Sequence, residues 1–389
     1  MPLLLGFDFG TSYFKAGLFD PAGVLGGLGR VAVPVEGAPA ATRELPTETF
    51  WRLAREALDE ALRQAGASSA DIAGVSYASQ ANTFLLLDET STELTPLIVW
   101  SDRRAEVAPG DAAFSSTDVF QRAVGFRDLA PESAVTKCRW WQRERRAEWG
   151  RARRFMTLSD YFTWTLTGET AGDASTAALL GLYHLGERRW WPAALQHFGL
   201  AELQLATPRA PGTACGATSA AAAARLGLPA GIPFAVGALD HHAAAIGAGV
   251  GTLADASLST GTVLAALCLV PEVEPIRGCF HGPHIDGAQY CRLAFDPRGA
   301  GELEAFQREH APARTLDELI DAALRDASPA SAPNEPDALE RGRVRAILDR
   351  IAAAQRELLH AILPAGKAVR AVAVTGGGAR SAAWLAHTA

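Results

Sequence analysis

Three short glycine–hydroxyl elements in this 389-residue chain have the parts to hold a phosphorylated ligand: Asp8-Phe9-Gly10-Thr11, Ser259-Thr260-Gly261-Thr262, and Gly376-Gly377-Gly378-Ala379-Arg380-Ser381. Each follows an apolar run, where a strand turns back or enters a helix. Glycine there leaves backbone N–H groups unshielded by a Cβ, a favourable surface for phosphate oxygens. A lone carboxylate, Asp240, precedes the second element. Three such turns and one acid point to a nucleotide held between two lobes, beside a side chain able to take a proton.

Asp8 ends an apolar strand, where a carboxylate is costly unless it is paired or near a metal. It suits a Mg2+ ion reached through water, with Gly10, Thr11 and Ser12 facing phosphates and Lys15 adding charge. A β-turn aspartate satisfied by its neighbours is the alternative. Asp240 lies between the apolar run Phe234-Ala235-Val236-Gly237 and an Ala/Gly-rich helix, His242 to Gly249. It could accept a proton from a substrate hydroxyl, or simply cap the helix. His241 and His242 are adjacent and cannot share one face of a strand or helix. Without a third ligand at usable spacing, zinc is disfavoured.

Thr260, Gly261 and Thr262 form either a second phosphate clamp or an ordinary hairpin turn. The turn Gly376-Gly377-Gly378, after the apolar Ala371 to Thr375, would admit an adenosine against backbone. It could pass for a dinucleotide turn, but Ser381 stands where that motif needs its third glycine. Walker A is absent. Gln80, Asn82, Trp100, Asp102 and Arg103 offer the amides, aromatic face and charges that a polyhydroxylated ligand needs. Asp102 and Arg103 read equally as a helix cap and a surface charge. From Lys137 to Arg154, Arg139, Arg143, Arg145 and Arg146 alternate with Trp140, Trp141 and Trp149. Glu144 and Glu148 make that stretch a solvated amphipathic helix rather than a nucleic-acid surface.

The elements that position these residues follow from periodicity. Leu3 to Phe7 and Phe14 to Phe19 are strands around the turn Gly10-Thr11-Ser12, and Val31 to Val33 completes a meander after Asp20-Pro21-Ala22-Gly23. Thr47 to Gln64 is apolar at helical spacing (Phe50, Leu53, Ala57, Leu58, Ala61), and a buried strand, Ile72 to Tyr77, follows. Ala254 to Thr260 and Val263 to Val270 echo the opening pair, before a long helix (about Asp337 to Leu363) and the strand Val369 to Thr375. Two similar units imply internal duplication. Gly247 to Gly251 offers a flexible joint, dividing the chain into residues 1–246 and 247–389, and Ala327 to Pro336 is a solvated loop.

Composition narrows the class. A net charge of −7, with 48% hydrophobic and 20% charged residues, fits a soluble globular protein and argues against nucleic acid as a partner. No apolar run is long enough to span a bilayer, and no basic n-region marks a signal peptide. Five scattered cysteines suit free thiols in a reducing cytoplasm.

In this order the elements resemble the FGGY family of carbohydrate kinases, within the actin/hexokinase/heat-shock-protein ATPase superfamily. Gly6-Phe7-Asp8-Phe9-Gly10-Thr11-Ser12 with Lys15 is similar to the family's first phosphate motif. Gln80 through Asp88, then Pro96 to Arg104, resembles its sugar-site segment. Ser159 to Glu169 followed by Asp173-Ala174-Ser175 resembles another block. Gly237-Ala238-Leu239-Asp240 with Gly247-Ala248-Gly249 is similar to the segment of the catalytic base. Ser259 to Thr262 resembles the second phosphate motif, and Gly376 to Ser381 with Trp384 the adenosine motif.

The resemblance implies an α/β fold: two RNase-H-like (actin-like ATPase) domains, each a mixed sheet flanked by helices, with a cleft between them. It implies ATP and Mg2+, the metal near Asp8, and the nucleotide on Gly10, Thr11, Ser12, Lys15, Thr260, Gly261, Thr262, Gly376, Gly377, Gly378, Ala379 and Arg380. A small carbohydrate would meet Gln80, Asn82, Trp100, Asp102, Arg103 and Asp240, the last taking its hydroxyl proton. A homodimer is a further expectation.

Three departures stand out. Ala81-Asn82 follows Gln80 where many xylulose kinases have Met-His, and His241 replaces a common glutamine. The chain stops at Ala389, soon after Ser381, so an unpaired sheet edge behind Val369 to Thr375 is expected, with either weakened ATP affinity or a partner that covers the edge. A catalytically impaired sugar- or nucleotide-binding relative is the competing class. An oxidoreductase built on Gly376 to Gly378 is disfavoured by the motif's place in the chain.

Overall fold

The computed structural model describes residues 2–34, 41–261, 263–325 and 336–389. Thr262 and most of the Ala327 to Pro336 segment therefore lie outside the described residues. The chain divides into two compact units. The first comprises Met1–Ala243 with Val273–Arg277 and His281–Tyr290; the second comprises Ala244–Glu272, Gly278–Phe280 and Cys291–Ala389. This division falls within the helix Asp240–Gly247.

In the first unit, strands Leu3–Phe9, Tyr13–Phe19 and Leu25–Ala32 form an antiparallel meander. Ile72–Ser79 then pairs parallel with Leu3–Phe9, and Pro233–Ala235 and Ala238–Leu239 both pair parallel with Ile72–Ser79. The third strand starts six residues before the expected Val31, because Leu25 to Gly29 carry a backbone ladder that Gly26, Gly27 and Gly29 conceal from a side-chain pattern. Those glycines have a use. A Cβ on Gly29 would lie 1.8 Å from the Ala57 carbonyl oxygen, so the helix Thr47–Ala65 rests its backbone directly on this strand.

The helix buries Phe50, Trp51, Leu53, Ala54, Ala57, Leu58 and Ala61, the face its periodicity forecasts. Phe7, Phe9, Phe14, Phe50 and Phe162 close the core with ring centroids 4.8–6.4 Å apart, in the edge and offset geometries aromatic rings prefer. A smaller sheet in this unit orders Gln204–Leu205, Arg154–Thr157, Phe84–Leu87, Leu97–Ile98 and Glu44–Leu45.

The expected single helix over Lys137 to Arg154 is instead two, Ala134–Glu144 and Arg146–Arg151, followed by a strand from Arg154. Arg145 leaves helical geometry between them (φ −129°, ψ 52°). Nor is the stretch wholly solvated, since Arg139 pairs with buried Asp111 at 3.0 Å.

In the second unit, Ala256–Thr260 and Leu264–Val270 pair antiparallel, and Val372–Thr375 lies parallel on the other side of Ala256–Thr260. This hairpin with a parallel third strand repeats the arrangement of Leu3–Phe9, Tyr13–Phe19 and Ile72–Ser79, as duplication requires. Val372–Thr375 ends the strand order, paired on one side among the described residues. It begins later than the expected Val369 because the Asp255 carboxylate takes the N–H groups of Arg370 and Ala371 from the ladder. The long helix runs Pro336–Ile362. All five cysteines are buried. Among the described residues no helix is long and apolar enough to cross a membrane.

Candidate active site

Strand register gathers the first unit's candidate residues. Phe9 pairs with Ser79, and Ser79 pairs with Leu239, so three parallel strands end side by side. The chain leaves those ends as Gly10-Thr11-Ser12, as Gln80 and as Asp240. Ligands of open α/β sheets collect at the carboxyl ends of parallel strands, and here that edge presents a glycine turn, an amide and an acid in a row.

Asp8 faces Lys15 across the hairpin, and the two form an ion pair at 2.7 Å with both side chains about two-fifths exposed or less. Asp240 is partly buried at the first turn of its helix. Its Oδ1 accepts from the adjacent His241 N–H at 2.7 Å rather than from the second or third helical N–H that an N-cap would satisfy. Burial raises its pKa, and the negative charge of Asp8 raises it further, against the opposing pull of His241 and Lys15. A carboxylate so placed holds a proton more readily than a free one, as a general base requires. Gly237 brings this segment against its neighbour: a Cβ there would fall 1.9 Å from the Tyr77 carbonyl oxygen. His242 is a core residue. Burial keeps it neutral, its pKa down to about 3, and neither ring nitrogen has a partner among the described residues.

A second set leads to Trp100. Its indole Nε1 donates to Thr11 Oγ1 at 2.6 Å, and Thr11 Oγ1 donates in turn to Gln80 Oε1 at 3.4 Å. The glycine turn, the amide and the aromatic face thus form one connected group. The other expected sugar contacts are engaged elsewhere. Asp102 is fully buried and accepts from the Arg43 N–H at 2.6 Å and the Arg104 guanidinium at 2.7 Å, so it anchors the loop instead of facing a ligand. Arg103 is exposed and pairs with Glu132 at 2.8 Å. Asn82 sits at φ 57°, and its Oδ1 accepts from the Ala134 N–H at the start of a helix.

In the second unit, Thr260 ties its own glycine turn to the one at Gly376. Its Oγ1 donates to the Thr375 carbonyl at 2.8 Å. A Cβ on Gly376 would lie 3.1 Å from the Thr260 backbone, and one on Gly378 would lie 2.8 Å from Thr260 Oγ1. Gly376 has φ 88°, which side chains rarely adopt. Gly377, Gly378, Ala379 and Arg380 then form a single 3-10 turn, with Gly377 and Arg380 exposed, and Gly261 accepts from the Ala300 N–H at 2.9 Å.

The N-terminal domain model of the FGGY family of carbohydrate kinases matches residues 3–247. This chain belongs to that family. An autoinducer-2 kinase from Enterobacter sp. (strain 638) is 30% identical over 300 residues, covering 73% of this chain and 55% of the relative. An L-xylulose/3-keto-L-gulonate kinase from Escherichia coli (strain K12) is 26% identical over 307 residues, covering 78% and 61%. The chain therefore spans little more than half the length of the curated relatives it matches. A ligand-bound xylulose kinase from Lactobacillus acidophilus superposes with a TM-score of 0.85 at 18% identity, over 100% of this chain and 84% of that one, which shows the shared actin-like ATPase fold.

Two groups in this FGGY chain have roles that the sequence did not reveal. Asp173 accepts from Ser175 Oγ at 2.7 Å and from the Tyr77 hydroxyl at 3.3 Å, and Ser175 Oγ accepts from the Leu239 N–H at 2.9 Å. A buried polar chain therefore ends one residue before Asp240. Burial raises the pKa of both Asp173 and its neighbour Asp160, the latter to about 7. Lys137, the other group, is fully buried. It falls in register with Ala134, Cys138 and Trp141 on the buried face of its helix, and a lysine within an apolar stripe was the legible signal.

Proposed function

We propose that this chain transfers the γ-phosphoryl group of ATP to a hydroxyl of a small ketose, polyol or sugar acid, with Asp240 as the general base. The substrate O–H proton passes to an Asp240 carboxylate oxygen, the sugar oxygen bonds to the γ-phosphorus, and the bond to ADP breaks. The side-by-side strand ends carry this reading, since they set Asp240 beside the Asp8–Lys15 pair and the Gln80–Thr11–Trp100 group. The acceptors named for the autoinducer-2 and L-xylulose/3-keto-L-gulonate kinases support a sugar or sugar-acid class. Gly10, Thr11, Ser12 and Lys15, with Thr260, Gly261 and Gly376 to Arg380, are the proposed nucleotide contacts. Thr262 would join them.

Mg2+ fits Asp8. The ion keeps several waters and takes one or two carboxylates plus phosphate oxygens. Asp8 is a partly exposed carboxylate, and no cluster of three His, Cys, Asp or Glu occurs among the described residues. When bound, the ion would offset charge on the phosphates. We assign the reaction to the cytoplasm, where ATP and reduced thiols coexist.

Sugar-dependent ADP release, screened over ketoses, polyols and aldonates, tests the proposal. Asp240→Asn should lower turnover about 10²- to 10⁴-fold while sugar affinity stays within a few-fold. Turnover within tenfold of the parent would remove Asp240 from the role. If no sugar elicits ADP from the parent chain, the kinase reading fails and the impaired relative replaces it.

A further inference from the structure

Lys137 is a buried amine with no carboxylate at salt-bridge distance among the described residues. Burying a charge without a counter-ion is costly, and an aliphatic residue would fill the same space. Its Nζ donates to the Asn82 carbonyl at 2.7 Å, the Val99 carbonyl at 2.9 Å and the Trp100 carbonyl at 3.4 Å. Three donors thus meet three carbonyls, the full capacity of an ammonium.

Those carbonyls belong to two loops. One leaves Ile72–Ser79 and carries Gln80; the other follows Leu97–Ile98 and carries Trp100. Other bonds tie the same pieces together. The Ala134 N–H, one turn before Lys137, donates to Asn82 Oδ1 at 2.9 Å, and the Trp100 N–H donates to Thr83 Oγ1 at 2.9 Å. Asn82 is held at a positive φ of 57°, which its neighbours must enforce. Burial pulls the Lys137 pKa down to about 7, and the nearby charges of Asp102 and Glu132 offset that only in part.

We propose that Lys137 is a positioning residue for the sugar, clamping the Gln80 and Trp100 loops in register through their carbonyls. This rests on the kinase reading above for its kinetics, but not for its structural test. The variants are Lys137→Met, which keeps the length and loses every donor, and Lys137→Gln, which keeps two donors on a shorter stem. Cys138→Ala, equally buried on the same helix, controls for general destabilisation.

Sugar KM should rise at least tenfold in Lys137→Met and less in Lys137→Gln, with KM for ATP unchanged within twofold and kcat within threefold. Cys138→Ala should leave sugar KM alone. Amide hydrogen exchange on the full chain supplies the readout that needs no turnover: residues 82–83 and 99–100 should exchange at least tenfold faster in Lys137→Met, or in Lys137→Gln should the Met variant fail to fold. Unchanged exchange in those loops overturns the proposal. So does a uniform shift of all three kinetic constants, or one that Cys138→Ala reproduces. A parent chain without sugar-dependent turnover sinks the kinase reading, and the exchange result still decides the clamp.

Discussion

Asp160→Asn should stabilise the first unit relative to the parent, by more at alkaline pH than at acid pH. Asp160 is 6% exposed, accepts from the Thr157 N–H at 3.0 Å, and lies near the second buried acid, Asp173. Burial lifts its pKa from 3.8 to about 7, beyond what the Thr157 bonds and their opposing effect can offset. A raised carboxylate pKa means that the native state binds more protons than the unfolded chain between those values, so stability falls as pH rises through that window. At about 1.4 kcal/mol per unit, the full cost approaches ~4 kcal/mol above pH 7, of which about half is already present at pH 5.5.

The amide can accept the same Thr157 bond without ionising. The advantage of Asn over Asp should therefore grow by about 2 kcal/mol between pH 5.5 and 8, or on the order of 1 M in urea midpoint. Intrinsic fluorescence suits the measurement, because every tryptophan except Trp384 belongs to the first unit. An Asn–Asp difference that is flat with pH would show that native Asp160 ionises at an ordinary pKa, and the argument from burial would fall.

Two further outcomes follow from close contacts. Gly237→Ala sets a Cβ 1.9 Å from a backbone oxygen, Tyr77 O, which no rotamer change relieves. Asp240 should shift by roughly 1 Å and kcat should fall about 10²-fold; steady-state kinetics on the folded variant would show it, and an unchanged kcat would free Asp240 from this contact. Thr260→Val removes the donor to Thr375 O and leaves that carbonyl short of a partner. Stability of the second unit should drop by about 1–3 kcal/mol, and ATP affinity measured by calorimetry should weaken several-fold; unaltered affinity would separate Thr260 from the nucleotide.

Much of this was legible in the residues. The hairpins around Gly10 and Gly261, the helix Thr47–Ala65 and the long helix Pro336–Ile362 each follow from a local pattern of apolar spacing and glycine punctuation. The placement of Asp240 beside Gly10 and Gln80 does not, because it depends on the register of three strands far apart in the chain. The sugar-side assignments show the same limit. Asp102 carries the composition of a ligand contact, yet its oxygens go to Arg43 and Arg104, partners that only tertiary packing selects. Asn82 likewise spends its amide on Ala134, and Arg103 meets Glu132 at the surface. Lys137 passed as the first residue of a solvated helix, and its burial against three carbonyls required the fold.

The burial of every thiol has a practical corollary. Cys138, Cys215, Cys268, Cys279 and Cys291 are all enclosed, and burial pushes the Cys268 thiol up to about 11. Enclosed thiols are out of reach of a reagent in solvent, so maleimides should pass the native chain by. A cysteine installed at an exposed turn residue such as Ala22 would then be the sole labelling point. The wild-type sequence is its own cysteine-light background, ready for a dye or spin probe without a round of prior replacements.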